Sequence, residues 1–172
     1  GSDAITNTDT ITATATAEVN AETFELNLLD TASADAGVAA EATAVGSAGD
    51  DSDGNDLVSF DTIINSGTIT TDASAQADSS GFRFQAVDWA VALATSSAES
   101  AAIGIKGGPG SSVIENSGDI LCTAAARSDL WTVELNLSDC GLASSGRTLE
   151  SKATGSEGGD QGGEITNSGS IT

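Results

Sequence analysis

Residues 63–69 read Ile-Ile-Asn-Ser-Gly-Thr-Ile, and the pattern Ile-x-Asn-Ser-Gly-x-Ile within them decides the fold. The pattern recurs at residues 114–120 and 165–171, so successive copies lie 51 residues apart. A degenerate first copy at residues 5–11 precedes the second by 58 residues. A fixed internal period of this length is typical of proteins that stack one structural repeat on the next.

Apolar and polar residues alternate with a period of two inside each repeat. Ile11, Ala13 and Ala15 alternate with threonines, and a second run of alternating alanines begins at Val38. This period predicts β-strands with one buried face, although alanine by itself favours helix. We therefore expect an all-β fold, a right-handed parallel β-helix (β-solenoid) that forms a single array over residues 1–172. Its repeats would be at approximately 5–62, 63–113 and 114–164, with a partial repeat at 165–172.

Stacking in register places identical residues above one another, which predicts two ladders. The asparagines of the motif would hydrogen-bond from repeat to repeat at a turn, and the neighbouring glycines would adopt backbone angles that other residues resist. The isoleucines that follow would stack inside. The predicted Asn ladder is Asn7, Asn65, Asn116 and Asn167, and the predicted Ile ladder is Ile11, Ile69, Ile120 and Ile171.

The number of coils per repeat has two interpretations. The alternating runs that begin at Ile11 and Val38 lie 27 residues apart, which favours two coils of roughly 25 residues in each repeat. A single flattened rung per repeat is the alternative. Periodicity alone also leaves open a hairpin, because Asn-Ser-Gly between two isoleucines can turn an antiparallel pair.

The charge of the chain excludes several functions. Asp and Glu number 26 against five Lys and Arg, so the net charge is −21. Nucleic acids and anionic membranes attract clustered cations, and the five cations here are scattered, so we expect neither as a partner. No apolar run is long enough to span a membrane. The chain has no His, which excludes His-dependent catalysis and most zinc sites, and we expect no enzyme.

An acidic stretch around Gly54 is the candidate metal site. Oxygen ligands on a flexible loop suit Ca²⁺, although the spacing does not match an EF-hand. The alternative is a solvated acidic loop inserted into the first repeat. The candidate ligands are Asp50, Asp51, Asp53, Asn55 and Asp56.

The recurrent Ile-x-Asn-Ser-Gly-x-Ile and the alanine-rich strands resemble the parallel β-helix repeats of autotransporter passengers and related large bacterial surface adhesins. The resemblance covers nearly the whole chain and also includes Ala-Ile-Gly-Ile at residues 102–105. It implies export to the bacterial cell surface, in association with the outer membrane, and a structural or adhesive stalk. Partners would then be further copies of the chain, end to end or side by side, or an extracellular ligand such as a glycan.

Export bears on Cys122 and Cys140, since disulfides persist in oxidising compartments. Two cysteines in an exported chain suggest a bridge, whereas the inward position expected for Cys122 suggests two free thiols. Both interpretations stay open at this point.

Surface residues offer further binding functions. Trp89 or Trp131 could contact a glycan in a carbohydrate-binding or carbohydrate-active β-helix, the second candidate function. The threonines from Thr8 to Thr16 form an outward row like those of ice-binding solenoids. The row is not repeated regularly in the later repeats, so ice binding is the weaker hypothesis.

Overall fold

The computed structural model describes residues 2–27, 32–49, 60–86, 90–137 and 141–172. The described residues form strands joined by short turns, and they contain no helix. The strands are β1 (Ala4–Asn7), β2 (Thr10–Asn27), β3 (Ala32–Ala48), β4 (Phe60–Asn65), β5 (Thr68–Gln85), β6 (Ala90–Lys106), β7 (Ser111–Asn116), β8 (Asp119–Asn136), β9 (Gly141–Glu157), β10 (Gly163–Asn167) and β11 (Ser170–Ile171).

The strands form three parallel sheets. Sheet A has the order β1-β4-β7-β10, sheet B the order β11-β8-β5-β2, and sheet C the order β3-β6-β9. Pairing is in register with the repeats: Ile11 lies opposite Ile69 and Ile69 opposite Ile120. The expected all-β class with parallel pairing is confirmed and is consistent with a β-solenoid. The hairpin is excluded, since β4 and β5, on either side of Ser66-Gly67, belong to different sheets.

Each repeat contributes one strand to each sheet. The prediction of two coils per repeat is wrong, because β2 pairs with β5 and β3 pairs with β6, whereas β2 and β3 do not pair with each other. Their alanine faces pack across the interior instead. The alternative of a single flattened rung per repeat describes this arrangement.

The interior between sheets B and C is narrow and rich in alanine. Ala40 and Ala42 of sheet C pack against Ala75 and Ala77 of sheet B, and all four are buried. Serine side chains cross the gap: Ser96 Oγ donates to the Ala77 carbonyl at 2.6 Å. A side chain this short reaches the opposite backbone only if the sheets lie closer than the ~10 Å of ordinary face-to-face packing.

Glycines of sheet C oppose the isoleucines of the Ile ladder, which are among the largest buried side chains. Ile69 and Ile120 are 0% and 1% exposed. A Cβ added to Gly104 would overlap Ile120 Cγ2 and lie 2.6 Å from the Gly155 carbonyl oxygen. Gly46 stands in the same relation to Ile69. The narrow gap therefore accepts isoleucine because the facing residue lacks a side chain.

The Asn-Ser-Gly turn connects sheet A to sheet B and holds the predicted Asn ladder. Asn7 Nδ2 donates to Asn65 Oδ1 at 2.7 Å, Asn65 to Asn116 at 2.7 Å, and Asn116 to Asn167 at 2.6 Å. The second amide hydrogen of Asn116 bonds the Gly118 carbonyl at 3.1 Å within its own turn. Each buried amide is thereby used along the stack and within the turn, as a buried polar group requires.

The expected role of the glycine in this turn is corrected by the structure. Among the described glycines, Gly162 has a positive φ, of 96°, and those of the motif do not. A Cβ on Gly118 would instead overlap the backbone carbonyl of Gly67 in the neighbouring repeat. The motif needs glycine because successive turns approach closely, and unusual backbone angles are not the reason.

Candidate functional site

The outer face of sheet B changes from polar to apolar along its strands. In β2 the outward residues are threonines from Thr10 to Thr16, then Glu18, Asn20 and Glu22. Beyond this point the outward side chains are apolar in three neighbouring strands. We call these six residues the apolar stripe: Phe24, Leu26, Phe82, Phe84, Val133 and Leu135.

The apolar stripe faces outward because charged residues occupy the interior behind it. Arg83 is 1% exposed and lies in register with Glu25 on one side and Glu134 on the other. Its Nε lies 3.8 Å from Glu25 Oε2. A buried guanidinium is tolerated when carboxylates compensate its charge. The ion pair with Glu25 therefore compensates part of the charge of the inward Arg83, and strand alternation places the apolar neighbours outside.

The apolar stripe is a partly exposed surface on three paired strands. Phe24 is 73% exposed and Leu135 is 50% exposed, whereas Phe82 and Phe84 are half-buried. The rings of Phe24 and Phe82 stack at 5.4 Å with an angle of 6° between their planes. Contiguous exposed apolar surface on a soluble fold marks an interaction site more often than isolated apolar residues do.

A groove of about 310 Å³, lined mostly by polar residues, adjoins the apolar stripe. Trp131, which is 55% exposed, stands at the boundary between the two surfaces. Asn20, Glu22, Asp78 and Asp129 line the groove. Gln76 Nε2 donates to Asp78 Oδ2 at 2.7 Å, and the Asp129 amide donates to Asp78 Oδ1 at 3.0 Å. These two bonds fix the orientation of the Asp78 carboxylate.

The surface beside the apolar stripe is strongly negative. The three outward columns next to it hold the carboxylates of Glu18, Glu22, Asp78 and Asp129, against the single cation Arg127. Charges spaced this closely act together on an approaching partner. A ligand of the apolar stripe therefore meets a negative border on this side.

The predicted calcium ligands Asp50, Asp51, Asp53, Asn55 and Asp56 lie outside the described residues. Within the described ranges, no group of three Asp, Glu, Cys or His side chains is placed to hold a metal ion. The calcium site at residues 50–56 stays a prediction.

Calcium binding is tested by thermal unfolding of chelator-treated protein with and without millimolar Ca²⁺. Free Ca²⁺ at 100 times the Kd of the site stabilises the fold by about 2.7 kcal/mol. We therefore expect the midpoint of thermal unfolding to rise by roughly 5–10 °C. The measurement is far-UV circular dichroism. The double variant Asp51→Asn and Asp53→Asn should lose the increase, and an unchanged midpoint in the unsubstituted protein would exclude the site.

Of the two cysteines whose pairing the sequence leaves open, the structure describes Cys122. Cys122 is a free, buried thiol whose Sγ lies 3.2 Å from the Thr154 carbonyl oxygen. Cys140 lies outside the described residues, so the pairing of the two cysteines stays a prediction.

The sequence also predicts ligand contacts for two tryptophans and for a row of outward threonines. Trp131 is exposed beside the groove, whereas Trp89 lies outside the described residues. The outward threonines of β2 lie opposite Thr68, Thr70, Asp72 and Ser74 of β5. In β8 the same columns hold Asp119, Leu121, Thr123 and Ala125. The threonine array is therefore confined largely to one strand.

Comparisons with protein-family models, with curated protein sequences and with solved structures find no match for this chain. None of the described residues form a helix long and apolar enough to cross a membrane.

Sequence reasoning missed the apolar stripe and the buried Arg83. One pattern could have revealed both: apolar residues occupy odd positions from Ile11 to Val19, then even positions at Phe24 and Leu26. Alternation that changes phase without a break in the strand places apolar residues on the opposite face.

Proposed function

We propose that the chain is part of a right-handed parallel β-helix in a secreted or cell-surface bacterial repeat protein, with a structural and adhesive role. The observation that carries this proposal is the uninterrupted parallel register of three sheets at the repeat spacing. The resemblance to autotransporter passengers supports an extracellular, outer-membrane-associated location. The array would extend over residues 1–172, and no catalytic activity is part of the proposal.

The dimensions of the repeat favour adhesion by broad faces over extension by length. Strands of 17 and 18 residues span about 60 Å, while each repeat adds one strand spacing of about 4.8 Å. An array 100 Å long would need about 20 repeats, or roughly 1,000 residues. Each repeat therefore adds much more outer surface than length to the array. We expect the outer faces of the sheets to carry the function.

The proposal is tested by lengthening the array. Four extra copies of residues 63–113 inserted after residue 113 should thicken the particle by about 19 Å and leave its ~60 Å width unchanged. Small-angle X-ray scattering and electron microscopy measure both dimensions. The control inserts four copies of the same residues in shuffled order, which should add a flexible segment. An array that widens, or that gains separate particles, contradicts the proposal.

A second candidate function, carbohydrate binding, is favoured by the groove beside Trp131. Sugars bind where an indole face lies near fixed carboxylates and amides, and Trp131, Asp78 and Asn20 line one groove. The Asp78 carboxylate is already oriented by two hydrogen bonds, which reduces the entropy lost on binding.

A further inference from the structure

We infer that the apolar stripe of sheet B is the docking surface for a cationic amphipathic segment of a partner protein, one that carries apolar side chains bordered by Lys or Arg. This inference deepens the proposed adhesive role and rests on it. It names the kind of partner that the adhesive face takes and the place where the partner binds.

Rigidity is the first argument for docking. All six side chains project from paired strands, and Phe24 and Phe82 support each other by stacking. Behind them the buried Arg83 forms an ion pair with the partly exposed Glu25 of the neighbouring strand. A partner would therefore bind a surface that is already ordered, and little conformational entropy is lost on this side of the interface.

Charge selects the partner. Glu22, Asp78 and Asp129 border the stripe, and the whole chain carries a net charge of −21. A second copy of this chain would bring the same negative border against the first, and the two would repel. A segment with Lys or Arg beside its apolar residues instead gains attraction at the border and burial at the centre.

The stacked rings favour a protein over a glycan at the stripe itself. Phe24 and Phe82 lie with an angle of 6° between their planes, so each ring covers one face of the other. Sugars bind aromatic residues through open ring faces. The stack uses one face of each ring, and Val133 lies in register beside Phe82 on the other side, so the open face is the outer face of Phe24 alone. Apolar side chains of a partner need no such face and can pack on the ring edges and on Leu26 and Leu135.

The test measures fluorescence anisotropy of a labelled 14-residue peptide with leucines on one helical face and lysines at its borders. The control peptide has the same composition in an order without an apolar face. We expect the patterned peptide to bind about tenfold or more tightly than the control, because burial adds to charge attraction. Equal binding would show charge attraction alone and would overturn the inference.

Matched variants locate the binding site. Leu135→Ser should weaken patterned-peptide binding about fivefold or more, whereas Leu121→Ser should change it less than twofold. Both leucines face outward on β8 and are 50% and 44% exposed, and about 45 Å of strand separates them. Glu22→Gln should also weaken binding, while Glu150→Gln on sheet C should not. Equal effects of the two leucine variants would overturn the inference.

Two further measurements test the other occupants of the stripe. Sedimentation velocity over a range of protein concentrations should show no self-association that Leu135→Ser abolishes. Cellohexaose should not displace the patterned peptide. Self-association through the stripe, or displacement by the sugar, would overturn the inference. Neither outcome affects the proposed β-helix, which the inserted-repeat measurement tests separately.

Discussion

Replacing Asn65 by alanine should lower the free energy of unfolding by about 3 kcal/mol, because each buried hydrogen-bonding group left without a partner costs about 1–3 kcal/mol. Asn65 is 0% exposed, accepts from Asn7 and donates to Asn116. It also donates to the Gly67 carbonyl at 3.3 Å. The substitution interrupts the ladder in its middle, so groups on both sides lose a partner. Urea unfolding followed by circular dichroism measures the change.

The matched control is Asn20→Ala. Asn20 is an exposed residue of β2, and its amide donates to Glu18 Oε1 at 3.2 Å. Water replaces that partner, so the cost should stay below about 0.5 kcal/mol. If Asn65→Ala cost no more than Asn20→Ala, the ladder would have no special part in holding the repeats together.

The ladders and the register could be read from the sequence because they depend on a repeated position. Asn65 and Asn116 carry the same offset as Ile69 and Ile120, and parallel stacking places equal offsets side by side. Any fold that stacks these repeats without a slip gives the same neighbours. The prediction therefore needed no knowledge of the path between the motifs.

The number of coils per repeat could not be read in the same way. Alternation shows which residues of a strand share a face, but it does not show whether two strands pair edge to edge or pack face to face. The runs at Ala13–Ala17 and Ala40–Ala44 fit either relation. In the structure the two runs pack face to face, and Ser96 Oγ donates to the Ala77 carbonyl across the interior.

The candidate site was missed for a related reason. The five cations are scattered along the sequence, but Arg83 occupies the same column of the repeat as Glu25 and Glu134. Opposite charges at equal offsets predict a stacked ion pair, and a pair that points inward predicts that its apolar neighbours along the strand face solvent. The exposed Trp131 could be named as a surface residue, but its groove is formed by residues from three repeats.

Replacing Gly104 by alanine should destabilise the fold by about 3 kcal/mol or more, at the upper end of the cost of overpacking a core. The added Cβ would overlap Ile120 Cγ2 and crowd the Gly155 carbonyl oxygen at 2.6 Å. Sheets B and C would have to separate there, which would weaken contacts such as that of Cys122 with Thr154. Urea unfolding compares the variant with Gly146→Ala in β9, where the added Cβ lies 3.8 Å from its nearest neighbour. That control should change stability by less than about 0.5 kcal/mol.

A double-mutant cycle with Ile120→Ala shows how much of the cost of Gly104→Ala comes from the overlap with Ile120. The remaining cost would apply to any side chain at residue 104. Ile120→Ala alone removes a buried side chain and should cost about 2–5 kcal/mol. It also removes the Cγ2 atom that the new Cβ of Gly104→Ala overlaps. The alanine at residue 104 should therefore cost at least about 1 kcal/mol less in the Ile120→Ala background, since residues in contact are not additive. Additive costs would mean that crowding against the Gly155 carbonyl of the neighbouring strand in sheet C, and not the fit of isoleucine against glycine across the interior, excludes a side chain at residue 104.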